Sequence, residues 1–313
     1  SSPRPFSTSK LAAVHDFDSS SGLILTTPES IITIYADYLY DNISAPATNP
    51  VLSHTQANPL GSAAQVTSVG DGVYVLQDDS GEVGRYWLFS PVEGAIGLPN
   101  DLYEAPILTT STKDRRILTV DESGAIQIFS LFRNDFEFET QAFGLKTAIF
   151  ADGDHIVAGG RRSQSLRTSK LLVDTITGES VPFDDDSLET FQLAYEPLSH
   201  SLYSLSVEGS ATDPKTVLAE HSGQIFENSR VLYSMAGKHA DATMSVGRST
   251  LFFSSAGVNR ALYAGTGRFM PVDGNDNIPV KVQVIDDWFL ALNRDSSLSV
   301  WHRATGAHAL DFY

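Results

Sequence analysis

The sequence predicts an all-β fold made of a repeated antiparallel unit, and three observations carry that expectation. A polar turn recurs at a fixed spacing: Asp78-Asp79-Ser80-Gly81 is followed about 43 residues later by Asp121-Glu122-Ser123-Gly124, with Arg294-Asp295-Ser296-Ser297 further on. Short apolar and aromatic runs flank each turn, so the period belongs to a hairpin. No long stretch shows sustained 3.6-residue apolar periodicity, so few helices are expected. Self-similarity at 40–45 residues with several strands per unit is the signature of a β-propeller blade. At 313 residues the chain holds about seven such units, which predicts a seven-bladed β-propeller with four antiparallel strands per blade.

One apolar run marks each unit: Leu23–Thr26, Val73–Gln77, Arg116–Val120, His155–Ala158, Ser201–Val207, Thr250–Ser254 and Trp288–Leu292. They place the blades at approximately 9–61, 62–103, 104–144, 145–187, 188–240, 241–278 and 279–313, within a single domain spanning 1–313. A second pattern supports the same register. Val173-Asp174-Thr175-Ile176-Thr177-Gly178 matches Trp301-His302-Arg303-Ala304-Thr305-Gly306, each an apolar strand end followed by a turn closing on Thr-Gly. Glycine supplies the positive φ that reverses the chain, and Thr or Asp caps the turn through a side-chain oxygen. Lys10–Phe17 reads as an innermost strand and Gly306–Phe312 as an outermost one. On that reading the last blade comes from the C-terminal segment alone, and closure rests on packing of the first blade against the seventh.

These residues carry a resemblance. The Asp-x-Ser-Gly turn, the alternating run Ala125-Ile126-Gln127-Ile128-Phe129, and Trp301-His302 followed by Thr305-Gly306 resemble the WD40 family. His302 stands where that family has Asp, and Gly237-Lys238-His239 echoes its Gly-His pair with one residue inserted. The resemblance implies a seven-bladed propeller that serves as an interaction platform.

Composition narrows the function classes. Thirty-eight acidic against 21 basic side chains give a net charge of −17, which disfavours non-specific nucleic-acid binding and suits either solubility or a basic protein partner. The absence of cysteine excludes disulfides, thiolate metal sites and thiol nucleophiles. Together with a chain that starts at Ser1, it leaves an exported or bacterial soluble protein, or an excised domain of a cytoplasmic one, and the compartment open. No apolar run approaches the ~18 residues of a membrane span.

Chemistry is sought where the period breaks. Asp41–Gly61, with Pro46, Pro50 and Pro59, reads as an irregular insertion. Arg161, Arg162 and Arg167 lie in one strand connection. They either bind a carboxylate or phosphate group or neutralise Asp184, Asp185 and Asp186 in a following loop. Phe132 and Phe136 are candidate contact residues for a protein partner, with burial the competing role for Phe136. Asp273, Asn275 and Asn277 resemble the start of a calcium loop, but Val284 stands where the bidentate Glu would fall, and a turn is the better reading. His239 and Asp241 are expected to share a strand face in a blade-stabilising role. No catalytic constellation and no cofactor motif is found. The leading expectation is a non-catalytic protein–protein interaction scaffold. The alternative is an exported propeller enzyme, a hydrolase or lyase on a sugar or lactone, with carboxylates at the channel mouth.

Overall fold

The structure is a computed structural model. It describes residues 14–16, 22–26, 29–35, 54–58, 64–70, 73–78, 86–90, 94–97, 107–142, 144–163, 168–183, 187–255, 257–263, 268–273, 278–285, 287–295 and 297–312. Every regular element among them is a β-strand, and no helix among them is long and apolar enough to cross a membrane.

The strands form seven four-stranded sheets, each with its strands in simple sequential order and antiparallel throughout. The first sheet holds β1 (Val14–Asp16), β2 (Gly22–Thr26), β3 (Ser30–Tyr35) and β4 (His54–Ala57). The second holds β5 (Ala64–Gly70), β6 (Val73–Asp78), β7 (Tyr86–Ser90) and β8 (Gly94–Gly97). The third holds β9 (Ile107–Lys113), β10 (Arg116–Asp121), β11 (Ala125–Ser130) and β12 (Asp135–Gln141). The fourth holds β13 (Leu145–Phe150), β14 (His155–Gly160), β15 (Lys170–Asp174) and β16 (Ser180–Pro182). The fifth holds β17 (Ser187–Glu196), β18 (Ser201–Gly209), β19 (Pro214–Ser222) and β20 (Asn228–Ala236). The sixth holds β21 (Thr243–Gly247), β22 (Thr250–Ser255), β23 (Val258–Tyr263) and β24 (Arg268–Pro271). The seventh holds β25 (Pro279–Ile285), β26 (Trp288–Asn293), β27 (Leu298–His302) and β28 (His308–Phe312). Each of the seven apolar marker runs falls in the second strand of a separate sheet. The sheets belong to two compact units, one of residues 1–104 with 243–313 and one of residues 105–242.

In the second unit the middle strands are buried on both faces. Along β14, Ile156 and Ala158 pack with Leu118, Val120 and Ile128 of the third sheet, while Val157 points the other way, to Leu193 and Leu202 of the fifth. Its neighbour β15 repeats the alternation, with Val173 on one side and Leu172 on the other. A strand that feeds two cores reads as a continuous apolar run, because both sets of alternate side chains are sandwiched. Burying each such Val, Leu or Ile contributes roughly 1.5–3 kcal/mol. In the first unit, Phe252 stacks on Phe289 at 4.6 Å and Trp301 lies against Phe252, within a core shared by the sixth and seventh sheets. Within that unit β1 also lies beside β25.

The turn chemistry follows the sequence pattern. Asp121 Oδ1 accepts hydrogen bonds from the Ser123 and Ala125 amides and the Ser123 hydroxyl, and Gly124 takes φ 80°. Asp295 repeats the arrangement with the amide and hydroxyl of Ser297. The paired Thr-Gly turns are also alike: the Gly178 amide donates to the Asp174 carbonyl and the Gly306 amide to the His302 carbonyl, with φ of 75° and 69°. In the Asp78 turn, residues 79–81 lie outside the described residues.

Two local expectations are corrected. His54–Ala57, inside the stretch expected to be irregular, pairs with β3 as the edge strand of the first sheet; an edge strand needs only one partner, which a short polar segment can satisfy. His239 and Asp241 lie in the connection after β20 rather than on a strand, because the His239 amide is drawn to Thr216 Oγ1 and its ring to the Ala236 carbonyl. The imidazole and carboxylate still face one another at 3.8 Å.

Behind that connection Glu189 accepts from Lys146 at 2.8 Å and Lys238 at 2.7 Å, tying β13, β17 and the end of β20 together. Burial works to raise the Glu189 carboxyl, but the two lysines outweigh it and hold it below its ordinary value of 4.5. A carboxyl depressed in the folded state stabilises the fold above its unfolded pKa, and that contribution disappears as pH falls through the folded value. Glu189→Gln is therefore expected to cost about 1–2 kcal/mol at neutral pH, the half-exposed lysines limiting the effect. In urea titrations the gap between variant and native chain should narrow below pH 4.5. A gap that stays constant on acidification would show that the charge contributes nothing.

Candidate functional site

The second unit gathers six turns at one end. The ends of the β9–β10 and β13–β14 hairpins are joined by Lys113 Nζ, which donates to the Ala151 carbonyl at 2.6 Å, and by Arg116, 3.6 Å from Asp154. The β11–β12 turn is fixed beside the first by the Leu131 amide on the Arg115 carbonyl, and the β15–β16 turn beside the second by the Thr175 amide on the Asp154 carbonyl. Asp152 reaches the β17–β18 turn, where its Oδ2 lies 3.6 Å from His200 Nε2. The β19–β20 turn completes the group.

Between the last of these turns opens a cavity of about 560 Å³, lined by Asp152, His155, Leu172, His200, Gln224 and Phe226 among others. That volume is typical of a site for a small molecule or a single side chain. Its apolar floor belongs to the core itself: Leu172 and Phe226 pack with Phe183, and Tyr195 meets Phe226 edge-on. The polar wall is ordered. Burial, reinforced by the Asp152 and Glu196 carboxylates, raises the Tyr195 phenol above its ordinary value. The Tyr195 hydroxyl and His200 Nδ1 share a hydrogen bond at 3.0 Å, which turns the Nε2 edge of the ring toward Asp152. At 3.6 Å that last approach is an electrostatic contact and no hydrogen bond, so the Asp152 carboxylate, two-thirds exposed, retains its accepting capacity.

Four of the six turns at this end are held by a side-chain acceptor and present an apolar residue outward. Asp174 Oδ1 accepts the Ile176 and Thr177 amides, which lowers its carboxyl and stands Ile176 in solvent, 76% exposed. The Leu198 amide donates to the buried Glu196 carboxylate while its side chain is 78% exposed. Glu227 accepts the Ile225 amide in the β19–β20 turn, and Ile225 is 46% exposed. Ser130 Oγ accepts the Arg133 amide below Phe132, 87% exposed at the tip of the β11–β12 turn. Capping converts what would be loose loops into fixed points.

Of the residues singled out in the sequence, Phe132 joins this end and Phe136 does not: Phe136 turns inward against Phe129, ring centroids 5.5 Å apart. Arg161 and Arg162 emerge exposed where β14 ends, Arg161 bridging to Glu189 on β17 through its backbone. Arg167, Asp184, Asp185 and Asp186 lie outside the described residues. Asp273 accepts the His308 amide through Oδ2 and the Trp301 indole through its carbonyl, as a turn residue does. Asn275 and Asn277 lie outside the described residues, and among the described residues no group of three or more His, Asp or Glu side chains is disposed to hold a metal ion. Sequence reasoning missed Asp152, Tyr195, His200 and the apolar tips Ile176, Leu198 and Ile225. The available signal was an isolated large aliphatic inside an otherwise polar turn, as in Asp174-Thr175-Ile176-Thr177-Gly178 and Pro197-Leu198-Ser199-His200.

No protein-family model matches the sequence, and no curated protein matches it. Solved structures do share its fold. Hydrazine synthase of Kuenenia stuttgartiensis superposes with a TM-score of 0.68 at 11% identity, covering 96% of this chain and 97% of that one. The N-terminal domain of Nup159 superposes with a TM-score of 0.60 at 9% identity, over 93% of this chain and 89% of that one. A structure of S. cerevisiae Dbp5 bound to Nup159 gives a TM-score of 0.58 at 11% identity, over 93% and 88%. At such identities the likeness speaks for fold alone. With the all-β, four-stranded sheets, it identifies the fold as a β-propeller.

Proposed function

We propose that this chain is a single seven-bladed, WD40-like β-propeller domain, each four-stranded sheet one blade, and that it works as a non-catalytic scaffold for a protein partner. The observation that carries the reading is the apolar end of the second unit. The three most exposed large apolar side chains among the described residues, Phe132, Leu198 and Ile176, stand with Ile225 on the capped turns of three successive sheets. Exposed aliphatics and aromatics held rigidly together mark interaction surfaces, because their burial by a partner gains free energy with little ordering cost. The net charge of −17 favours a basic partner and disfavours nucleic acid. A neighbour of the same fold, Nup159, is known in a complex with Dbp5, which supports the reading by analogy of fold.

The test is a comparison of the native chain with a variant carrying Phe132→Ser, Ile176→Ser, Leu198→Ser and Ile225→Ser. Its thermal midpoint should stay near the native value, since these side chains are already in water. Binding of a partner identified by cross-linking in the native host should weaken about 100-fold or more, two or more central anchors having been removed. Unchanged partner binding by the variant would overturn the scaffold reading. So would concentration-dependent dimerisation of the native chain that the variant abolishes, which would make the surface a self-interface.

A second reading, a hydrolase or lyase acting on a sugar or lactone, draws on the Asp152–His200–Tyr195 chain at the cavity mouth. It leaves the four exposed apolar tips without a role. Turnover of a lactone panel by the native chain, abolished in His200→Gln, would favour it over the scaffold.

A further inference from the structure

We propose that the cavity between the β13–β14, β17–β18 and β19–β20 turns receives the cationic end of an arginine or lysine side chain from the bound partner, whose apolar neighbours lie on Ile176, Leu198 and Ile225. The inference rests on the scaffold reading and specifies the chemistry of its partner.

Three observations converge. The first is shape: a half-open cavity of about 560 Å³ with an apolar floor of Leu172 and Phe226 suits a long side chain with an aliphatic stem and a polar head. The second is charge. Asp152 lines the wall, and the turns that follow β13, β15 and β19 also carry Asp154 (paired with Arg116), Asp174 and Glu227. Arg116 is committed to Asp114 and Asp154, Arg133 to Glu137, and Arg230 to Glu220 through two hydrogen bonds. The Asp152 carboxylate on the wall repels an anionic head and attracts a cationic one. The third is acceptor supply. Asp152 lines the cavity with its carboxylate two-thirds exposed and 3.6 Å from His200 Nε2, and the Tyr195–His200 hydrogen bond fixes the imidazole that flanks it. A guanidinium offers five donors in a fixed fork and matches that carboxylate better than any neutral head.

The occupant is thus a basic, apolar segment of another protein. A free polyamine could satisfy the carboxylate but would leave Ile176, Leu198 and Ile225 uncovered, and a second acidic copy of this chain would bring like charge to the same mouth.

The experiment uses the full chain and a defined probe, Nα-acetyl-arginine methylamide, at mildly alkaline pH, with NMR detection of the His155 and His200 ring signals. A saturable shift of both rings is expected, with a dissociation constant of about 1 mM or weaker for so small a probe. The neutral isostere, Nα-acetyl-citrulline methylamide, should bind about fivefold more weakly, as should the arginine probe to Asp152→Asn. Glu122→Gln, an exposed carboxylate change in the β10–β11 turn at the opposite end of the third sheet, should leave the arginine response as it is. Equal responses to arginine and citrulline, native-like binding by Asp152→Asn, or the absence of any ring shift would each overturn the inference. Those outcomes leave the scaffold reading standing, because it fails only if the four-tip variant keeps its partner.

Discussion

Replacing Trp301 by alanine is expected to destabilise the chain by about 4 kcal/mol, the largest single effect in the first unit. The indole has no solvent exposure, lies against Phe252 at 5.8 Å in a core where Phe252 in turn stacks on Phe289, and meets His308 edge-on. Its Nε1–H donates to the Asp273 carbonyl at 2.9 Å, so the ring also pins the start of the connection between the sixth and seventh sheets. Removing it opens a cavity between two sheets and orphans a carbonyl at once. Trp301→Phe separates the two: it keeps most of the packing and should cost about 1–2 kcal/mol through the lost hydrogen bond and the remaining void. Urea midpoints at neutral pH measure both. A loss below about 2 kcal/mol for the alanine variant would mean that the two sheets close over the gap, at odds with the stacked geometry.

The second large effect belongs to the other unit. Gly160→Ala is expected to cost about 3 kcal/mol or more, because a Cβ there would land on the Gly144 carbonyl oxygen and 2.6 Å from Leu145 Cα. Both are backbone atoms, at the start of the neighbouring strand β13 and in the residue just before it, and cannot rotate aside. The neighbouring register is already irregular, shifting between Leu145 and Thr147, so the two strands would have to separate where they are drawn together. Gly178→Ala is the control. Its φ of 75° strains an added Cβ, but nothing lies within 4 Å, and about 1 kcal/mol is expected. Equal losses at the two positions would show that conformational strain, and not close strand approach, governs both.

Much of the fold was legible because its causes are local. The Asp121 and Asp174 turns are closed by side chains two to four residues away, and the runs Ile117-Leu118-Thr119-Val120 and Ile156-Val157-Ala158 announce strands buried on both faces by largely apolar character. His54–Ala57 was not legible. It is polar, short and stabilised by a single neighbour, so neither periodicity nor β-branched content marks it. Among the site residues, Phe132 was found because an aromatic in a turn stands out, whereas Phe136, the second residue of the next strand, could be placed only by seeing Phe129 opposite it.

The cavity shows where local reading ends. Asp152, His200 and Phe226 each sit in an ordinary-looking turn, and nothing in their spacing relates one to another. Sequence alone determined the marker strand of each sheet, the four-stranded repeat and the capped turns, because hydrogen bonds and side-chain alternation act within a few residues along the chain. Tertiary structure alone decided that Tyr195 would orient His200, that Asp152 would face a cavity floored by core side chains, and that four capped turns would hold their apolar tips at one end. Those relations arise when separate sheets pack face to face, and packing is set by the whole surface of each sheet and by no single segment of it.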